Sequence, residues 1–119
     1  MEENKKLREL IYTDEFDRYY NSLDERTKRK FNECFTILRE IRVISTKFIK
    51  VLVNTDRDLY ELRVSVGFNE HRSILFSVDH DNIIQATKIV FLNSFLKKSS
   101  KDYDKEIKKA INILKTIEL

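Results

Sequence analysis

Leu10, Ile11 and Tyr12 close a stretch of mixed polarity that begins at Leu7, and Thr13-Asp14 follows at once; this predicts a short strand running into a helix cap. Beyond it, Phe16, Tyr19, Tyr20 and Leu23 recur at the spacing of one helical face. Ser22-Leu23-Asp24-Glu25 has the form of a capping box, so a second helix is expected from here, with Phe31, Cys34, Phe35, Leu38 and Ile41 as its apolar stripe. Between Val43 and Asp58 the pattern is mixed. Phe48, Ile49, Val51, Leu52 and Val53 suggest a short extended piece before the polar break Asn54-Thr55-Asp56-Arg57-Asp58.

After that break the period changes to two. Tyr60, Leu62, Val64, Val66 and Phe68 alternate with Glu61, Arg63, Ser65 and Gly67, the pattern of a half-buried strand. Gly67-Phe68-Asn69-Glu70 can turn the chain, and Ile74, Phe76 and Val78 resume the alternation. A second turn at Asp79-His80-Asp81-Asn82 leads into a β-branched segment from Ile83 to Phe95. From Ser99 onward, Tyr103, Ile107, Ala110, Ile111, Leu114 and Ile117 share one helical stripe. The fold class that results is α+β: a mostly antiparallel sheet of four or five strands, an N-terminal helix hairpin and a C-terminal helix.

Composition narrows the function more than the fold. A chain of 119 residues suits one domain around one hydrophobic core. Positive and negative side chains nearly cancel to a formal charge of +3, so any nucleic-acid surface must be local. The run Lys28-Arg29-Lys30 is one such patch, although charge on an amphipathic helix is ordinarily a solvated face. No run approaches the roughly 18 apolar residues of a membrane span, and the chain opens with charge; no membrane partner and a cytoplasmic location are expected. Cys34 is alone, and His71 and His80 have no partners at metal-ligand spacing, so no metal is expected. With one glycine and no proline, glycine-rich phosphate loops are excluded, and no cofactor is expected.

Three blocks occur in order: Leu59-Tyr60-Glu61-Leu62-Arg63-Val64, then Glu70-His71-Arg72-Ser73-Ile74-Leu75-Phe76, then Val90 to Lys101 with Phe95-Leu96-Lys97-Lys98-Ser99 at its heart. In order and spacing they resemble the signatures of the RelE/HigB toxin family, of the Gp49-like kind within the RelE/ParE superfamily. The upstream helix hairpin also sits where that family has one. The resemblance implies the toxin of a type II toxin–antitoxin pair, a ribosome-dependent messenger-RNA endoribonuclease whose partners are a cognate antitoxin and the message on the ribosome. It sets no oligomeric state, cleavage specificity or antitoxin family. Family roles carry onto Arg63, Arg72, Lys97 and Lys98, and more loosely onto Tyr103. The sequence departs from the pattern at Asn93-Ser94, where glycine is common, and at Lys101-Asp102, where proline is common.

The chemistry suits these residues. RNA carries its own nucleophile, the 2′-OH, so the protein need only orient it, move protons and stabilise phosphoryl charge. Arg63 and Arg72 offer planar, permanently charged forks for phosphate oxygens. Lys97 or Lys98 can act as a base only with a depressed pKa, and otherwise binds phosphate. Tyr103 can stack on a base or donate a hydrogen bond, yet it also heads the apolar helical stripe. His71 has the right intrinsic pKa for a proton carrier, although neighbours on a strand face opposite ways. The structural alternative pairs Arg63 with Glu61 or Glu70, and Arg72 with Glu70 or Asp79, on an exposed sheet face. Two other functions fit the same layout: a ParE-like inhibitor of DNA gyrase, and a non-catalytic module that binds an antitoxin or another protein.

Overall fold

The computed structural model describes residues 6–52 and 59–117; within them the order is β1 (Glu9–Tyr12), α1 (Asp14–Asn21), α2 (Glu25–Glu40), β2 (Ile49–Val51), β3 (Leu59–Val66), β4 (Asn69–Ser77), β5 (Lys88–Leu96) and α3 (Ser100–Thr116). The polar break at residues 54–58 lies outside the described residues. One sheet runs β1-β5-β4-β3-β2, antiparallel throughout except for the parallel pairing of β1 with β5. Among the described residues no helix is long and apolar enough to cross a membrane.

Both faces of the sheet are covered, so there are two apolar clusters where the length suggested one core. The α1–α2 hairpin lays Phe16, Phe31, Phe35 and Leu38 against Tyr60, Leu62, Leu75 and Phe91. On the other face α3 lays Ala110 and Leu114 against Leu59, Ile74, Phe76, Val90 and Leu92. Strand β3 is therefore not half-buried: Leu59, Tyr60, Glu61 and Leu62 are all buried in succession. A strand with only one covered face would have left Glu61 in water.

The remaining differences from the sequence reading are local. Ser22 does not cap α2; it ends α1, and its hydroxyl donates to the Tyr19 carbonyl. Asp24 caps α2 instead, accepting from the Thr27 amide at 2.8 Å. Ile41 stands beyond the helix and is 49% exposed. Phe68 leaves the alternation, because Val66 pairs with Asn69 and the turn is Gly67-Phe68, where Gly67 takes the left-handed φ of +59°. Residues 83–87 are a loop, and β5 begins only at Lys88.

Candidate functional site

The β3–β4 hairpin sets Arg63 directly across from Arg72. Side chains at such positions share a face and lie within about 5.5 Å at Cβ, so like charges there repel unless something offsets them. Glu61, two residues before Arg63, shares that face. On the next strand Phe95 stands opposite Arg72, an alignment produced by a bulge. Ile74 pairs with Asn93 but Leu75 pairs with Phe91, so Leu92 is an extra residue in β5. Phe91 belongs to the cluster under α1 and α2, whereas Phe95, four residues on, belongs to the cluster under α3. Strict alternation would have kept the two together.

Phe95 in turn seats the first turn of α3, with its ring meeting that of Tyr103 edge-on at 5.9 Å. The Ser99 cap fixes where that turn begins, accepting from the Asp102 amide at 3.2 Å. Tyr103 thereby reaches the group below it. Burial, then the charge and hydrogen bond of Glu61, push its phenol up to about 12, with Arg63 and Arg72 pulling the other way. A phenol in that range stays protonated near neutrality and can donate a hydrogen bond.

Glu61 is the centre of the cluster. Its side chain is 2% exposed, with Arg72 Nε 3.1 Å from Oε1 and Arg63 Nε 3.6 Å from Oε2. These are ion pairs by distance only, since neither Nε nor Oε1 completes an aligned hydrogen bond. Arg72 also donates from Nη1 to the His71 carbonyl at 3.1 Å, and its Nη2 lies 3.8 Å from Glu70. Arg72 is buried, whereas the Arg63 side chain is 35% exposed and meets the solvent. Both arginines border a cleft of about 390 Å³ at the β3 edge, together with Lys30, Lys47, Ser65 and Glu70.

Arg63, Arg72 and Tyr103 are thus gathered around one carboxylate. Lys97 flanks them: its amide donates to the Glu70 carbonyl at 2.8 Å, so it continues the register opposite Glu70, with its side chain exposed. Lys98 borders a different cleft, of about 590 Å³, between α1 and α3, beside Arg18, Lys105 and Lys109. The bridge from Lys109 Nζ to Glu15, at 2.5 Å, joins those two helices. His71 faces the opposite side of the sheet. Its Nδ1 lies 2.7 Å from the Tyr19 hydroxyl, its ring packs edge-on against Phe31 at 5.5 Å, and burial holds its pKa below the usual range. Among the described residues, His, Cys, Asp and Glu form no group of three able to hold a metal ion.

Sequence reasoning treated Glu61 only as a possible surface partner of Arg63 and left Lys47 unremarked. An acidic residue at an alternate position reads as solvent-facing, and only the covering helix makes it interior. The available clue was charge order: a carboxylate two residues from one arginine, on a strand whose hairpin partner carries another.

The family described as phage-derived protein Gp49-like matches residues 18–115 of this chain. No curated protein matches the sequence. Among solved structures, the toxin RelE of E. coli, as a mutant with two arginines replaced by alanine and in its free state, superposes with a TM-score of 0.57. The two are 10% identical, and the match covers 87% of this chain and 97% of that one, a likeness of fold.

Proposed function

The chain belongs to the Gp49-like family of phage-derived proteins, and from that premise we propose that it is the toxin of a toxin–antitoxin pair and cleaves messenger RNA on the ribosome. What supports this reading is one arrangement: Arg63 opposite Arg72 across two strands, with Tyr103 brought to the same carboxylate from α3. Two guanidiniums at that separation suit the non-bridging oxygens of a single phosphodiester. The 2′-oxygen attacks phosphorus and the 5′-oxygen departs, leaving a cyclic phosphate and a free 5′-hydroxyl. The 2′-proton is lost to solvent water, and the departing oxygen takes a proton from the same source.

In this reading Arg63 and Arg72 hold the phosphoryl group and stabilise the charge that builds on it. Tyr103 donates a hydrogen bond to the same group, and Lys97 contacts the backbone alongside. Lys98 borders the α1–α3 cleft and His71 lies beneath α1, so neither shares this arrangement. A cognate antitoxin covers the cluster with carboxylates on an extended segment.

The test is primer extension on messages from translating ribosomes incubated with the purified chain. The native chain is expected to cut, and Arg63→Ala with Arg72→Ala to reduce the rate by roughly 10²- to 10³-fold, the cost of losing a donor aimed at developing charge. Unchanged cutting by that double variant removes the site. Intact messages together with inhibited DNA gyrase transfer the toxin to the gyrase reading.

A further inference from the structure

Glu61 is a costly residue to have buried. A carboxylate at 2% exposure is tolerated only when paired, and nothing in the packing of Leu59, Ile74 or Phe95 requires a charge there. A methionine or leucine would fill the position and bury more comfortably.

We infer that Glu61 is the positioning residue of the arginine pair: its two oxygens hold both guanidiniums side by side at Nε, so that Arg63 presents its terminal nitrogens to the cleft, and its charge offsets the repulsion between the two arginines. This deepens the ribonuclease reading and rests on it for the identity of the ligand. Both contacts are made through Nε, to different oxygens of the same carboxylate. Drawn in at that nitrogen, Arg63 keeps its two terminal nitrogens as a planar fork for another anion, whereas Arg72 spends Nη1 on the His71 carbonyl and sets Nη2 3.8 Å from Glu70. Glu61 offsets one of the two guanidinium charges, while Lys30, Lys47 and Glu70 border the same cleft. Glu70 does not substitute for it, reaching Arg72 only at 3.8 Å from a side chain 45% exposed.

Glu61→Gln in the full chain keeps the shape and removes the charge. Three readings are expected to move. The Nε–H resonances of Arg63 and Arg72, whose nitrogens are buried, are expected to exchange slowly with water in the native chain and fast in the variant, read in ¹⁵N spectra. Inorganic phosphate at pH 8 binds about tenfold more tightly, because a charge a few ångströms away no longer repels it. Message cleavage loses about 10²-fold in kcat while KM changes little, as for a misplaced clamp. Glu61→Asp keeps the charge but draws it back by one methylene, so it retains weak phosphate binding while losing kcat; it carries the test if the glutamine variant does not fold. Unchanged Nε–H exchange with unchanged phosphate affinity overturns the inference. If the native chain leaves messages whole while the resonances and phosphate affinity respond as stated, the ribonuclease reading fails and the role of Glu61 stands.

Discussion

His71 and Arg72 are adjacent in sequence, yet the pleat sends one beneath α1 and α2 and the other beneath α3. The histidine side has a measurable consequence. Burial lowers the His71 pKa, only partly offset by Asp24 and Glu70, so the folded chain holds its imidazole neutral at pH values where the unfolded chain is already protonated. The stability this preserves is complete above the unfolded value of about 6.5 and is lost as pH falls below it, toward the lowered folded value. Urea midpoints between pH 5 and 8 are expected to drop on the acid side, and His71→Gln to flatten that slope; a slope unchanged by the substitution assigns it to other groups. On the arginine side, Arg63 and Arg72 were legible as candidate site residues because their blocks have a recognisable order, and the structure sets them opposite one another. Glu61 was not, because its environment is supplied by a helix 40 residues downstream.

At the level of elements, the long periodic segments were the easiest to read. The stripe from Tyr103 to Leu114 and the alternation around Gly67 gave α3 and the β3–β4 hairpin close to their observed bounds. Three features escaped, each decided by contacts distant in sequence. The start of α2 passed from Ser22 to Asp24 because the Ser22 hydroxyl is engaged with α1. The loop at residues 83–87 is apolar without being strand: Ile83 and Ala86 are buried, and the Ile83 backbone is bonded to the Tyr60 hydroxyl and the Arg8 guanidinium rather than to a neighbouring strand. The bulge at Leu92 leaves no local mark, yet it re-aims Phe95. Thr13 fastens that irregularity: its hydroxyl donates to the Leu92 carbonyl at 2.6 Å and accepts from the Phe16 amide at 3.1 Å. Thr13→Val keeps the volume and loses both bonds, for an expected cost of about 2 kcal/mol in chemical denaturation, while Thr13→Ser stays within about 0.5 kcal/mol of the native chain. A valine variant as stable as the serine one dismisses the hydroxyl as a fastening.

Over the molecule as a whole, Arg8 joins parts that no strand or helix connects. It is 2% exposed, and its five N–H groups are spent on backbone carbonyls of Leu38, Ile41, Arg42, Ile83 and Ile84. It closes the C-terminal end of α2, where carbonyls lack helical partners, and pins the loop before β5 to it. Removing it leaves several buried acceptors without donors, so Arg8→Ala is expected to cost about 3 kcal/mol or more; Arg8→Lys restores little of this, since an ammonium offers three donors in a different geometry. Denaturation of the two variants reads this directly, and a lysine variant equal to the native chain refutes the need for the fork.

The parallel pairing of β1 with β5 carries this dependence along the sequence. The first strand along the chain, Glu9 to Tyr12, has its sheet partners at Lys88 to Phe91. A chain that ends after the β3–β4 hairpin carries Arg63 and Arg72 without β5 beside them or α3 over them. Such a fragment leaves in water the Glu61 carboxylate that the whole chain buries.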